Sequence, residues 1–148
     1  MANGIILLVE DNADDVELTL RTFREQNITN EVVVASDGQE ALDYLFGAGQ
    51  YADRDTSDLP TVVLLDLKLP KVEGLEVLRR VRDDARTKLV PVVILTSSSE
   101  DRDLVDGYSL GANSYVAKPV EFSEFAEAVR QLGVYWLLLN RPAPPPAA

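Results

Sequence analysis

Histidine and cysteine are both missing from this 148-residue chain. Without cysteine there are no disulfides, no thiolate nucleophile and no zinc ribbon. Without histidine there is no Ser-His-Asp arrangement and no imidazole ligand for a metal. Basic charge is scarce as well: 14 Lys and Arg stand against 25 Asp and Glu, a formal net charge of −11. A surface that negative repels a phosphate backbone, which argues against DNA as a partner. Long apolar runs are absent too, the longest being residues 134–139, far below the roughly 20 residues that a membrane span needs. Residues 1–4 carry no basic segment and lead into only a short apolar run, so no signal peptide is read there. The expectation is a soluble cytoplasmic protein with no membrane segment. Its chemistry is left to carboxylates, hydroxyls and lysines.

What is present is organised by period. Short β-branched runs at 5–9, 31–35, 62–65, 92–95 and 115–117 read as strands, most of them buried on both faces of a parallel sheet. Helical spacing fills the gaps between them. Val16, Leu20 and Phe23 follow Asn12, an N-cap with Asp15 at the third helical position. Asp37 and Glu40 form a capping-box-like pair ahead of Ala41, Leu42, Leu45 and Phe46. Leu75, Leu78 and Val81 mark a third helix, Leu104, Val105 and Tyr108 a fourth, and Phe122, Phe125, Ala126, Val129 and Leu132 a fifth. Alternation of this kind predicts an α/β fold with a parallel sheet and right-handed crossovers. Residues 47–60 read as an exposed loop, and the proline-rich stretch 140–148 as a disordered tail after one domain at 1–139.

The acids fall where such a sheet binds ligands, outside the carboxyl ends of its strands. The first run ends in Glu10-Asp11, the third in Asp66, the fourth in Thr96-Ser97-Ser98 and the fifth in Lys118-Pro119. Any one of these alone reads as a turn or helix cap. Together they gather three carboxylates, a hydroxyl and an ammonium. Clustered carboxylates resist ionisation unless a cation neutralises them, and a small set of hard oxygen ligands suits Mg²⁺. A carboxylate beside Mg²⁺ is a nucleophile for phosphoryl groups, with lysine and threonine as partners for the phosphoryl oxygens.

The segments Val9-Glu10-Asp11-Asn12, Leu65-Asp66-Leu67-Lys68-Leu69-Pro70, Leu95-Thr96-Ser97-Ser98 and Ala112 to Pro119 resemble the receiver-domain motifs of two-component response regulators. The spacing agrees, with 30 residues from Asp66 to Thr96 and 22 from Thr96 to Lys118. The resemblance covers roughly residues 4 to 139. It implies a flavodoxin-like, doubly wound five-stranded sheet of order 2-1-3-4-5 with five helices. It also implies that Asp66 is the phosphoacceptor, Asp11 a direct Mg²⁺ ligand, Glu10 a ligand through water, and the Lys68 backbone carbonyl a further ligand. Thr96 and Lys118 then meet the phosphoryl group, Tyr115 turns inward with Thr96, and the Lys118–Pro119 bond is cis.

The 47–60 loop, Lys68-Leu69-Pro70-Lys71 and Val134-Tyr135-Trp136-Leu137 are similar to single-domain regulators paired with bacterial phytochromes. The function implied is a phosphorylation switch fed by a sensor histidine kinase, with no output domain after the fifth helix. It is not an enzyme beyond its own phosphotransfer and autodephosphorylation. An intermediate place in a phosphorelay, passing phosphate to a histidine phosphotransfer protein, is the alternative. A haloacid-dehalogenase-type phosphohydrolase lacks its second acid here, since Lys68 holds that position. A flavin or nucleotide module would want a glycine- or hydroxyl-rich first loop, where Glu10-Asp11 stands instead. On the fifth helix, Phe122, Ala126, Val129, Leu132 and Trp136 share the sheet-facing side. Val134, Tyr135 and Leu138 then project outward as an apolar patch, read as a homodimer interface.

Overall fold

The computed structural model describes residues 4–144. Its strands are β1 (Ile6–Val9), β2 (Val32–Ala35), β3 (Val62–Leu65), β4 (Val92–Thr96) and β5 (Ser114–Ala117). Between and after them run α1 (Ala13–Glu25), α2 (Gly38–Phe46), α3 (Gly74–Asp83), α4 (Asp101–Ser109) and α5 (Phe122–Gly133), and α5 passes into a π-helical turn at Val134–Leu139. All neighbouring strands are parallel, in the order β2-β1-β3-β4-β5. That is the flavodoxin-like arrangement expected from the sequence.

Parallel strands covered on both faces must be apolar at every position, and the three central strands are buried at every residue. Alternate side chains go to opposite layers. Leu7, Val9, Val63, Leu65, Val92 and Ile94 pack with α2 and α3, whereas Ile6, Leu8, Val62, Leu64, Val93 and Leu95 pack with α1 and α5. Each helix begins where its sequence supplies a cap or a turn. The Asn12 side chain accepts from the Asp15 N–H, and Asp37 accepts from the Glu40 N–H. The reciprocal half of the expected capping box shifts by one residue, because the Glu40 carboxylate accepts from the N–H and hydroxyl of Ser36.

Two helices present faces other than those expected. In α4 the side chains of Val105 and Tyr108 are exposed, and the buried positions are Asp103 and Gly107. The helix docks through the glycine, where a Cβ would lie 2.8 Å from Ile94 Cδ1 and 3.3 Å from Tyr115 Cδ2. Apolar periodicity counts side chains and therefore misses a contact made by backbone. In α5 the buried line runs through Phe125 and Val129, while Phe122 is exposed under the Arg21 guanidinium, 5.3 Å from its ring centre. Phe122 lies one turn too early to reach the sheet.

The 47–60 loop is not free chain. It contains a short 3₁₀ turn at Gly49–Tyr51 and is pinned by Arg54, which donates to the carbonyls of Tyr44 and Asp58 and lies 4.0 Å over the Tyr44 ring. Pro142, Ala143 and Pro144 line a cavity with Leu59, Pro60 and Leu89 at the opposite end of the sheet from the acids, and residues 145–148 of the expected tail lie outside the described residues.

Gly74 links the fold to the acidic edge. At the start of α3 its N–H donates to the Leu67 carbonyl, and a Cβ there would lie 2.2 Å from the Asp66 carbonyl oxygen. Backbone cannot swing away as a side-chain tip can. Gly74→Ala should therefore destabilise the protein by about 1–3 kcal/mol in urea unfolding. An unchanged midpoint would show that the β3–α3 turn yields freely.

Candidate functional site

The sheet's register builds the site. Val9 lies opposite Leu65, and Thr96 opposite Ala117. The next residues, Glu10 and Asp66, therefore leave β1 and β3 side by side, and Lys118 leaves β5 beside the end of β4. The Lys118 N–H donates to the Thr96 carbonyl at 2.6 Å, which fixes where its side chain departs.

From there the ammonium reaches back across the sheet edge. Lys118 Nζ lies 2.5 Å from Glu10 Oε1, 2.8 Å from Asp15 Oδ2 and 3.1 Å from Asp66 Oδ2. An ammonium has three protons, and each has a carboxylate to meet. The side chains of Lys118, Glu10 and Asp66 are all nearly buried, Asp15 is partly exposed, and Asp11 is exposed at the mouth. Glu10 also accepts from the Asn12 N–H, and Asp66 accepts from the Lys68 N–H.

The two buried acids respond differently. Burial pushes the Glu10 carboxyl up to about 7, against the Lys118 hydrogen bond that favours its charge. Burial opposes ionisation of Asp66 too, but hydrogen bonding from Thr96 and the nearby Lys118 charge outweigh it and hold its carboxyl below the usual range. Burial likewise works against the Lys118 charge, and the carboxylates of Asp15 and Glu10 prevail, so its ammonium is held above its ordinary value. Of the buried pair, Asp66 is thus the member that holds its charge more readily.

Glu10, Asp11 and Asp66 each place one carboxylate oxygen within 4.8 Å of the others. Three oxygen donors facing one lysine leave negative charge in excess, a donor set that fits a hard divalent cation. A cavity of about 560 Å³ opens over them, lined also by Asn12, Asp14, Lys68 and Ser97. Every acid and base that the sequence places at the strand ends is at this edge.

Thr96 is fully buried beside Asp66, and its hydroxyl accepts from the Ser98 N–H at 3.4 Å. Tyr115 stands half-buried behind it, its hydroxyl donating to the Ser98 carbonyl at 2.9 Å. The Lys118–Pro119 bond is trans, as are all peptide bonds among the described residues, which corrects the cis form that the resemblance implies. Prolyl bonds favour trans by about 0.5–1 kcal/mol, and here trans already delivers the ammonium to three carboxylates.

Asp15 is the participant that sequence reasoning passed over. The sequence marks it only as a capped first-turn residue of α1, and its contact with Lys118, 103 residues away, has no local signal.

Two buried carboxylates, a third acid at the mouth, a hydroxyl and a lysine at the switch point of a doubly wound sheet mark a ligand site whose acids fit a divalent cation. The chain belongs to the response regulator receiver domain family, whose model matches residues 6–130. It is 43% identical over 143 residues to the probable methanogenesis regulatory protein FilR2 of Methanothrix harundinacea, covering 97% of this chain and 89% of that one. It is 34% identical to the response regulator Rcp1 of Synechocystis, covering 90% and 88%. The crystal structure of the Mn²⁺-bound form of Rcp1 matches with a TM-score of 0.89 at 31% identity, over 95% of this chain and 99% of that one. The bacteriophytochrome response regulator AtBRR matches at 55% identity with a TM-score of 0.74, over 95% and 100%. Coverage so complete shows that these relatives are single-domain regulators. Among the described residues no helix is long and apolar enough to cross a membrane.

The lysine's place among the acids gives a direct test. Lys118→Ala leaves Glu10 and Asp66 buried without their ammonium, and should cost about 2–3 kcal/mol in chelator. Millimolar Mg²⁺ should restore part of that loss, and restore more than it adds to the native protein. Equal melting of the two proteins in chelator would contradict this account of the charge balance.

Proposed function

We propose that this chain is a phosphorylation switch in which Asp66 takes a phosphoryl group from the phosphohistidine of a sensor histidine kinase. The observation that carries the proposal is the environment of Asp66. It is a buried carboxylate kept ionised by a lysine and a threonine, with two more acids grouped for a cation.

An Asp66 carboxylate oxygen attacks phosphorus as the bond from phosphorus to the donor imidazole nitrogen breaks, and the bonding pair leaves with the imidazole. Glu10, Asp11, Asp66 and the Lys68 carbonyl are the groups that would hold Mg²⁺, which supplies neutralisation of charge on the phosphoryl oxygens. Lys118 gives those oxygens an ammonium proton in place of the one it gives Asp66. Thr96 and Lys118, already fixed at the site, provide positioning and electrostatic stabilisation, which is most of what phosphoryl transfer requires.

Turnover is limited to the protein's own aspartyl phosphate, so the chain acts as a switch and not as an enzyme on other substrates. The likeness to the bacteriophytochrome response regulator AtBRR favours a phytochrome-type kinase as donor, and the setting we propose is the cytoplasm. The output is protein recognition, including self-recognition. Tyr135 is 50% exposed and Leu138 67% exposed, with Leu139 beside them and Val134 half-buried. A second copy of the chain related by a two-fold axis would cover this patch.

Acetyl phosphate with Mg²⁺ should add one phosphoryl group to the native protein and none to Asp66→Asn. Intact-mass measurement reads the gain, and an equal gain in the variant would remove Asp66 from its role. Light scattering at micromolar concentration should find a dimer that Leu138→Glu/Leu139→Glu converts to monomer. A monomeric native protein would refute the interface.

A further inference from the structure

Lys118 is held by more carboxylates than the phosphoacceptor and the metal set account for. Glu10 and Asp66 belong to the acid triad that would hold a cation, but Asp15 does not. Asp15 nevertheless places Oδ2 2.8 Å from the ammonium, closer than Asp66 at 3.1 Å. Its own backbone is fixed twice in the first turn of α1, where its N–H donates to Asn12 and its carbonyl accepts from the Thr19 hydroxyl. A carboxylate on so anchored a backbone is a rigid support for a long, flexible lysine stem.

Resting on the phosphoacceptor reading of Asp66, we infer that Asp15 is a positioning residue that works through Lys118, holding one ammonium proton so that another points at the phosphoryl group. The geometry is a tripod. Two of its legs end just past β1 and on α1, at Glu10 and Asp15, and the third ends on Asp66. When the phosphoryl group arrives, only the third leg changes acceptor, from the Asp66 oxygen to a phosphoryl oxygen. Lys118 need not travel.

Asp15 matters most once a cation shares the Glu10 carboxylate, because that leg then weakens. Asp15 remains as the one anion committed to the ammonium alone. Losing it leaves the stem free to explore its rotamers, and about tenfold in rate is the scale of one charge-assisted hydrogen bond at a reacting group.

The test measures phosphorylation of full-length protein by phosphoramidate in saturating Mg²⁺, followed by intact mass, for the native chain and Asp15→Asn. The ¹⁵Nζ resonance of Lys118 is observed in parallel, and Mg²⁺ affinity is titrated. Asp15→Asn should react about tenfold more slowly, lose the slowly exchanging Lys118 ammonium signal, and keep Mg²⁺ affinity within threefold. An unchanged rate would overturn the assignment. So would a slower rate with the ammonium signal intact, which would point to the start of α1, and so would a tenfold loss of Mg²⁺ affinity, which would make Asp15 a metal residue. If the native protein takes no phosphoryl group on Asp66, the reading beneath the inference fails instead, while the ammonium signal still reports whether Asp15 holds the lysine.

Discussion

One ammonium against a surplus of carboxylates is the constraint on which this structure turns. Glu10, Asp15 and Asp66 converge on Lys118 from three segments of the chain, with Asp11 waiting at the mouth. Bringing those acids together out of water costs free energy. The lysine offsets part of it, and the remainder is an electrostatic demand for further positive charge. A cation would relieve that demand, and added negative charge beside Asp66 would deepen it. The cluster is left incompletely neutralised by its one lysine.

That demand can be met only because the scaffold around it is unyielding. β1 and β3 end in register, so Glu10 and Asp66 cannot separate without breaking the parallel ladder between them. β4 and β5 end together as well, so Thr96 and Lys118 arrive as a pair. The strands are apolar on both faces because both are covered, and the polar residues begin where the coverage ends. The hydrophobic pattern thus does two jobs, making the sheet and marking the edge at which chemistry begins. Gly74 extends the same logic into the β3–α3 turn, where backbone lies too close to Asp66 to admit even a methyl group.

Sequence made this much legible because each signal had a local carrier. β-branched runs announced the strands, Asn12 and Asp37 announced helix starts, and acids at the strand ends announced the site. The parts that escaped had no local carrier. Gly107 seats α4 by lacking a side chain, so the apolar spacing of Val105 and Tyr108 pointed to the wrong face. Phe122 matched the core pattern of α5 but lies a turn short of the sheet. Asp15 looked like a helix-cap partner because its contact with Lys118 spans 103 residues, and only the closed sheet edge brings the two together.

The end of α5 shows how a small backbone change can redirect a surface. Gly133 lets the helix approach α1 closely, since a Cβ there would lie 2.7 Å from Ile28 Cδ1 and 3.1 Å from Phe23 Cε1. Past that contact the chain widens into a π-helical turn, which takes up more residues per turn than the α-helix and shifts the facing of those that follow. Trp136 and Leu137, adjacent in sequence, both pack toward the α1–α5 layer, and Tyr135 meets the Trp136 ring edge-on at 5.0 Å. Leu138 and Leu139, also adjacent, are both left outward. Tyr135, Leu138 and Leu139 are thereby left exposed together at the end of the sheet remote from the acids. That apolar surface is set by the end of α5 and its π turn, none of whose residues lines the acidic cavity.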